Sequence, residues 1–72
     1  MTVTLETWKN KDDSKIIAMI SQDKYCNTYN VAIGWTEDNL FYVTFRRGNY
    51  WSIKSARQAI KRRGNFERIT EV

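Results

Sequence analysis

The sequence predicts a small α+β protein, in which a mainly antiparallel sheet of four or five strands packs against one helix in the C-terminal half. Apolar residues recur at every second position through much of residues 1–45, which is typical of strands, and at helical spacing after Ser52. A chain of 72 residues is long enough for one dense core. We therefore expect residues 1–72 to form a single compact domain.

The first two strands are predicted at residues 2–8 and 15–20. The segment "TVTLETW" alternates, with Val3 and Leu5 on one side and its Thr and Glu residues on the other, and "KIIAMI" is a short apolar run rich in isoleucine. Between them, "NKDDSK" at 10–15 has the composition of a loop, because Asn, Asp and Ser side chains readily bond to nearby backbone groups.

A hairpin is predicted over residues 29–45. The segment "YNVAIGW" has large apolar residues at every second position, and "LFYVTF" follows it after the polar "TEDN", which would form a four-residue loop at 36–39. In the second strand of the hairpin, Phe41, Val43 and Phe45 would share one face. Both faces of that strand are therefore partly apolar, so one is expected to meet the helix and the other to be half covered.

One helix is predicted over residues 53–63. Its apolar residues form a narrow stripe that suits a helix lying against a sheet. The stripe consists of Ile53, Ala56, Ala59 and Ile60. Ser52 is expected to cap the first turn, since its hydroxyl can accept a hydrogen bond from a free amide, and Gly64 is expected to follow the last turn. The remaining segment, "FERITEV" at 66–72, is expected to form a closing strand.

Catalysis has few candidate groups in this sequence. The chain has no histidine and one cysteine, so a Cys26 nucleophile would lack its usual base and a tetrahedral zinc site cannot be assembled. The carboxylates lie mostly in predicted turns, and no nucleotide-binding glycine loop is present. We therefore expect a protein that is not an enzyme and binds no cofactor, with Cys26 as a structural or neutral residue.

Positive charge is concentrated in the second part of the chain. Residues 1–45 carry four lysines and six acidic residues, net −2, whereas residues 46–72 carry eight basic and two acidic residues, net +6, which together give +4. All six arginines lie after residue 45. Arginine presents a planar set of donors that suits phosphates and carboxylates, so this asymmetry indicates a surface for an acidic partner.

Eight residues are predicted to bind that partner. A helical wheel puts four basic side chains on the outer face of the helix, opposite Ala56, and two arginines lie at the end of the preceding strand. An aromatic pair beside them would stack on bases or anchor a protein, with one ring buried and the other exposed because adjacent strand residues point to opposite faces. The predicted binding residues are Arg46, Arg47, Tyr50, Trp51, Lys54, Arg57, Lys61 and Arg62.

Part of this pattern also has a structural explanation. Basic residues in the last helical turn, here Lys61, Arg62 and Arg63, interact favourably with the helix dipole, and an aromatic residue just before an N-cap often packs onto the helix. The other two tryptophans, Trp8 and Trp35, are assigned to the core. Helix termini do not explain the arginines before the helix, nor why arginine avoids the first part of the chain.

The segment "YWSIKSARQAI" at 50–60 combines an aromatic residue, a hydroxyl residue two positions later, two small residues and an aliphatic residue. The matching positions are Tyr50, Ser52, Ala56, Ala59 and Ile60. In this pattern the segment resembles the entry from third strand to helix in the three-strands-then-helix modules of phage-type integrase arm-binding domains and plant AP2 domains. The resemblance implies a DNA-binding protein whose sheet faces the major groove.

Three functions stay open from the sequence. The leading expectation is a non-enzymatic protein that binds nucleic acid by gripping phosphates with the basic helix and the turn before it. The alternative is a protein inhibitor of the kind that phages and mobile elements encode, including anti-CRISPR and other anti-defence proteins, which would bind an acidic protein surface. A structural subunit of a larger assembly is the third. No stretch is apolar enough to cross a bilayer or resembles a signal peptide, so we expect an intracellular protein without membrane contacts.

Overall fold

A computed structural model describes residues 2–69 and shows one open sheet with a helix packed across it. These residues form β1 (Thr2–Asn10), β2 (Ile16–Asp23), β3 (Tyr29–Glu37), β4 (Leu40–Tyr50), α1 (Ile53–Arg62) and β5 (Phe66–Arg68). All pairings are antiparallel, and the strand order is β4-β3-β2-β1-β5. The predicted α+β class is confirmed. No helix in residues 2–69 is long and apolar enough to cross a membrane.

The core lies between α1 and one face of the sheet. Strands β2 and β3 contribute every second side chain to it, because side chains alternate between the two faces of a sheet. The buried apolar residues are Trp8, Ala18, Ile20, Val31, Ile33, Ala56, Ile60 and Phe66. The opposite face of the sheet has no helix of the described residues against it, so this open face keeps its side chains partly exposed.

The helix forms as the sequence predicts, except that it ends one residue earlier. The Ser52 hydroxyl accepts a hydrogen bond from the Ser55 amide at 3.2 Å, which satisfies a free donor of the first turn. The last helical residue is Arg62, and the amide of the capping residue Arg63 donates to the Ile60 carbonyl at 3.1 Å. The predicted apolar stripe faces the sheet: Ala56 and Ile60 are buried, and Ile53 and Ala59 are partly buried.

Ala56→Leu is expected to destabilise the protein by about 1 to 3 kcal/mol, because added methylenes in a close-packed contact force neighbouring groups apart. Ala56 is 0% exposed where α1 crosses the sheet. Urea unfolding followed by circular dichroism measures the effect. Gln58→Leu, at an exposed helical position, is the matched control and should change stability little. Equal stability of the two variants would contradict the packing of α1 through Ala56.

Strand β4 contains a bulge that the alternation of the sequence does not show. Phe45 and Val43 pair with consecutive residues of β3, so Thr44 is an extra residue in β4. The prediction that Phe41, Val43 and Phe45 share one face is therefore wrong. Phe45 faces α1 and packs against the core, whereas Phe41 and Val43 belong to the open face.

The ends of β4 also differ from the prediction. Its turn with β3 has two residues, Asp38 and Asn39, with φ of 52° and 63°, instead of four. Positive φ at both positions is what a two-residue hairpin needs, and Asp and Asn tolerate it. At the other end, β4 continues through a second irregularity at Gly48 and Asn49 as far as Tyr50. The arginines that precede them therefore lie in the middle of β4 and not at its end.

Strand β1 does not follow the predicted division of its faces. The register shifts between Thr4 and Glu6, and Glu6 is buried beside the core while Val3 and Leu5 are 38% and 40% exposed. The bulge at Leu5 turns Glu6 towards α1, where hydrogen-bonding partners compensate its burial.

The two tryptophans assigned to the core have different fates. Trp8 is 6% exposed, so its assignment is confirmed. Trp35 is 40% exposed, so its assignment is wrong. It stacks on Tyr42 of the neighbouring strand, with 5.4 Å between ring centroids, and this contact covers only one face of each ring.

The closing strand is shorter than predicted within the described residues. β5 covers Phe66–Arg68 and pairs with β1, and Ile69 follows it outside the strand. The rest of the predicted closing strand, residues 70–72, lies outside the described residues.

Candidate functional site

A cleft of about 560 Å³ lies between the edge strand β4 and helix α1. Its lining residues are Phe45, Arg47, Tyr50, Ser55, Gln58, Ala59, Arg62 and Arg63. Three of them are arginines and none is acidic. The cleft is therefore a concave, positively charged surface in which the remaining polar groups are neutral.

Both elements bring these side chains together through their regular spacing. On β4, Phe45 and Arg47 are two residues apart and so point to the face that meets α1, and the irregularity at Gly48 and Asn49 returns Tyr50 to that face. On α1, the lining positions recur at intervals of three and four residues, which places them along one flank of the helix. We call this set the arginine cleft.

Aromatic rings support two of the arginines. The guanidinium carbon of Arg47 lies 5.5 Å from the centroid of the Tyr50 ring, and that of Arg63 lies 3.4 Å from the centroid of the Phe45 ring. A ring attracts the cation without neutralising its charge. Within residues 2–69, the salt bridges join Glu6 to Arg57 and Arg68, so no carboxylate of these residues pairs with an arginine of the cleft.

Arg57 and Lys61 lie on the other flank of α1, towards β1. Lys61 Nζ is 6.0 Å from the centroid of the Trp8 ring, and Arg57 forms an ion pair with Glu6. The prediction that Arg57 projects outward with the other basic residues of the helix is wrong. The buried carboxylate of Glu6, distant in the sequence, draws the guanidinium against the sheet.

The Glu6 carboxylate is held by three donors and is 2% exposed in its side chain. Trp8 Nε1 donates to Oε1 at 3.1 Å. Arg57 Nε donates to Oε1 at 3.0 Å and to Oε2 at 3.1 Å, and Arg57 Nη2 also donates to Oε2. Arg68 Nη1 lies 3.6 Å from Glu6 Oε2. The hydrogen bonds from Arg57 lower the pKa of Glu6 against the opposing effect of burial, and the same bonds raise the pKa of Arg57. Glu6 is thus an ionised residue with a structural role, because both of its carboxylate oxygens accept hydrogen bonds from Trp8 or Arg57.

Three other predicted binding residues are exposed outside the arginine cleft. Arg46 lies on the open face, where it lines a pocket of about 440 Å³ with Ser21 and Asn30. Trp51 is 86% exposed in the link between β4 and α1, and Lys54 is exposed in the first turn of the helix. Because Tyr50 is partly buried against the core, the expectation of one covered and one exposed ring in this pair is confirmed.

The structure therefore brings together three of the eight predicted residues, namely Arg47, Tyr50 and Arg62. It adds Phe45 and Arg63. The sequence predicted a strand position for Phe45 and an interaction with the helix dipole for Arg63, but a binding role for neither. The available signal for Arg63 was its position one turn after Ala59 on the same flank of the helix. Phe45 carried no such signal, because the bulge at Thr44 decides which way it faces.

Residues 2–69 contain no cluster of side chains that could bind a metal ion, and their one cysteine is exposed. No three His, Cys, Asp or Glu residues in this range are close enough to hold a metal ion. Cys26 is exposed in the loop between β2 and β3 and forms no disulfide there.

The fold and the arginine cleft define the class of this protein: a small α+β domain with a basic cleft at the edge of its sheet. No protein-family model matches the chain, and the comparisons with curated proteins and with solved structures give no match.

Proposed function

We propose that this protein is a small non-enzymatic nucleic-acid-binding protein that holds phosphate groups in the arginine cleft. The observation that carries the proposal is the convergence of Arg47, Arg62 and Arg63 in a cleft with no acidic lining residue. Each guanidinium presents several N–H donors in a plane, which matches the oxygens of a phosphate.

The aromatic contacts in the cleft support the same proposal. Holding an arginine against a ring limits its rotamers before a ligand arrives, so less conformational entropy is lost on binding. Arg47 on Tyr50 and Arg63 on Phe45 are arranged in this way. These two contacts therefore favour the binding of an anion in the cleft.

Single-stranded nucleic acid is the favoured form of the ligand. Trp51 directly follows the cleft residue Tyr50 and is 86% exposed, so its ring is free to stack on a base. A base can stack on a side chain only when it is unstacked from its neighbours, as in single strands. Lys54, exposed in the first turn of α1 and three residues after Trp51, adds a positive charge near this end of the helix.

Arg62→Ala is expected to weaken the binding of all single-stranded sequences alike, since phosphate contacts do not read bases. The logarithm of affinity should fall with the logarithm of salt concentration, with a slope of about −0.7 for each phosphate contact. The slope of the variant should therefore be less steep by about 0.7, the share of one contact. Fluorescence anisotropy titrations of labelled oligonucleotides at several salt concentrations measure both quantities.

Two matched variants make this test specific. Lys15→Ala removes the same charge from the exposed loop between β1 and β2, and Arg46→Ala removes an arginine from the opposite face of the sheet. Both should keep the slope of the unmodified protein. Equal losses in all three variants would contradict a localised site, and no binding beyond weak polycation attraction, to single strands or duplexes, would refute nucleic-acid binding altogether.

Trp51→Ala is expected to cost about 1 to 3 kcal/mol of affinity for single strands, because one stacked base loses its platform. The salt slope should stay unchanged, since no phosphate contact is removed. Tyr25→Ala is the matched control, because Tyr25 is an equally exposed aromatic residue, 86%, in the loop between β2 and β3. Equal effects of the two variants would argue against stacking on Trp51.

A second candidate function is supported by the exposure of Trp51. Exposed tryptophans and arginines dominate the binding energy of many protein interfaces, so Trp51, next in sequence to the cleft residue Tyr50, also suits an inhibitor of the phage or mobile-element type that binds an acidic protein. Affinity purification with and without nuclease separates the two functions. A stoichiometric protein that survives nuclease and is lost with Trp51→Ala would support the inhibitor.

A further inference from the structure

The arginine cleft holds more positive charge than one internal phosphate of a strand can balance. Arg47, Arg62 and Arg63 line it together, and none of its lining residues is acidic. An internal phosphate is a diester with one negative charge and two free oxygens. A phosphate at the end of a strand is a monoester, which carries a charge of about −1.5 to −2 at neutral pH and has three free oxygens.

We propose that the arginine cleft binds the phosphomonoester at one end of a single strand, a role that rests on the proposed nucleic-acid binding. The terminal phosphate offers an oxygen to each of the three guanidinium groups. It therefore gains more charge-assisted hydrogen bonds in the cleft than an internal diester does.

Contacts within the cleft bring the three arginines together from two elements. The guanidinium carbon of Arg63 lies 3.4 Å from the centroid of the Phe45 ring. Arg47 follows Phe45 by two residues on the same face of β4, a distance of about 7 Å along a regular strand. Arg62 precedes Arg63 in the chain and lines the same cleft. The three cations thus surround one concave site.

The size and the net charge of the cleft suit a single dianion. Its volume of about 560 Å³ falls within the range of pockets that hold one small ligand, about 300 to 1,000 Å³. The C-terminal end of α1 lies at Arg62 and adds the equivalent of about half a negative charge. Three guanidinium groups exceed that charge several-fold, so the site stays positive enough to match a dianion.

Trp51 favours a strand end over other phosphomonoesters. It lies in the link between β4 and α1, the two elements that line the cleft, and is 86% exposed. A base near the end of the strand can stack on this ring while the terminal phosphate occupies the cleft. A phosphorylated peptide has the same phosphomonoester but no base.

The experiment compares single strands of one sequence, about six nucleotides long, that carry a 5′-phosphate, a 3′-phosphate or hydroxyl groups at both ends. Fluorescence anisotropy with an internal label measures their affinities. One of the two phosphorylated strands should bind about tenfold more tightly than the unphosphorylated strand at about pH 8. An unphosphorylated strand two nucleotides longer is the matched control, because its two extra diesters add a similar charge, and it should show little of this gain.

The gain from the terminal phosphate should depend on pH through the ligand. The second pKa of a phosphomonoester is about 6, so about a quarter of it is dianionic at pH 5.5. The charged and titratable residues that line the cleft are Arg47 and Tyr50 on β4 and Arg62 and Arg63 on α1. Arginine and tyrosine side chains do not ordinarily change charge between about pH 5.5 and pH 8. The gain over the unphosphorylated strand should therefore shrink about fourfold across this range.

Variants of Arg63 test whether the cleft is responsible. Arg63→Ala should remove most of the gain, and Arg63→Lys should keep only part of it, because lysine lacks the planar set of donors. Arg46→Ala removes an arginine from the opposite face of the sheet and should keep the full gain. Circular dichroism confirms that each variant is folded.

The possible outcomes separate this proposal from the nucleic-acid binding on which it rests. Equal binding of the phosphorylated strands and the longer unphosphorylated strand, or a gain that survives Arg63→Ala, would overturn the proposal and leave nucleic-acid binding in place. A phosphoserine peptide that binds as tightly as the phosphorylated strands would overturn the assignment to a strand end. If no strand binds, the proposed function fails, and the terminal-phosphate site fails with it.

Discussion

Gly34→Ala is expected to destabilise the protein by about 3 kcal/mol or more, at the upper end of what overpacking a protein interior costs. A Cβ atom on Gly34 would lie 1.9 Å from the Tyr42 carbonyl oxygen, 2.7 Å from its carbon and 2.9 Å from the Val43 Cα. All three are backbone atoms, so no side chain can rotate away to make room. The β3–β4 pairing would have to separate, or the bulge at Thr44 would have to rearrange.

Gly48→Ala is the matched control for this prediction. A Cβ atom on Gly48 would approach the Asn30 Oδ1 atom to 2.5 Å, but that atom belongs to a side chain that can turn aside. Urea unfolding of both variants measures the difference. If Gly34→Ala proves no less stable than Gly48→Ala, the close approach of β4 to Gly34 is wrong.

Glu6→Ala is expected to destabilise the protein by about 1 to 3 kcal/mol at neutral pH, because the indole N–H of Trp8 would be left buried without an acceptor. Trp8 donates to the carboxylate at 3.1 Å and is 6% exposed. The variant would also leave Arg57 without its anionic partner at the edge of the core. Chemical unfolding at pH 7 tests this loss.

The same carboxylate makes stability depend on acid. The pKa of Glu6 in the folded protein is lowered from its ordinary value of 4.5, chiefly by the hydrogen bonds from Arg57. A group with a lowered folded pKa contributes its stabilisation above the unfolded pKa and loses it as the pH falls through the folded pKa. The contribution of Glu6 should therefore be complete at neutral pH and disappear as the solution is acidified below about 4.5.

Glu6→Gln separates this contribution from those of the other acids. Its free energy of unfolding should vary less with pH in the acidic range than that of the unmodified protein. Glu67→Gln, at an exposed position of β5, is the control and should retain the full dependence. Parallel stability curves for Glu6→Gln and the unmodified protein would show that the ion pair with Arg57 is not the source of the acid sensitivity.

The regular parts of the fold were predictable because each follows one local rule. The period of two in residues 29–35 and the helical stripe around Ala56 require no knowledge of distant residues. The cap at Ser52 is equally local, since its hydroxyl bonds within three residues. These local features are sufficient to predict the α+β class.

The bulges were not predictable, because an extra residue in a strand leaves no periodic mark. Thr44 is compatible with either face of β4, and only its pairing with β3 shows that the alternation is interrupted there. The same holds for Leu5 in β1, whose bulge buries the charged Glu6 and exposes an apolar residue. In both cases the register between strands overrides the pattern within one strand.

The arginine cleft was predictable in charge and only partly in composition. The asymmetric distribution of arginine pointed to the correct half of the chain, but a helical wheel treats α1 as isolated. It cannot show that Arg57 is drawn to a buried acid 51 residues away in sequence. Nor does it show that Arg63, beyond the last helical residue, turns back over Phe45.

The place of β5 in the sheet has a kinetic consequence. Strands β1 to β4 are neighbours in sequence order and are joined by short turns. Each strand can therefore pair with the preceding one at a small cost in loop-closure entropy. β5 instead adds beside β1 and pairs over Trp8, Lys9 and Asn10 after nearly the whole chain has intervened. It gains few ladder bonds for that long closure, so we expect β5 to dock late during folding and to open more readily than the central strands β2 and β3. Each opening of β5 would separate Arg68 from Glu6 and expose the buried ring of Phe66. We therefore expect the amide protons of β5 to exchange with solvent faster than those of the central strands.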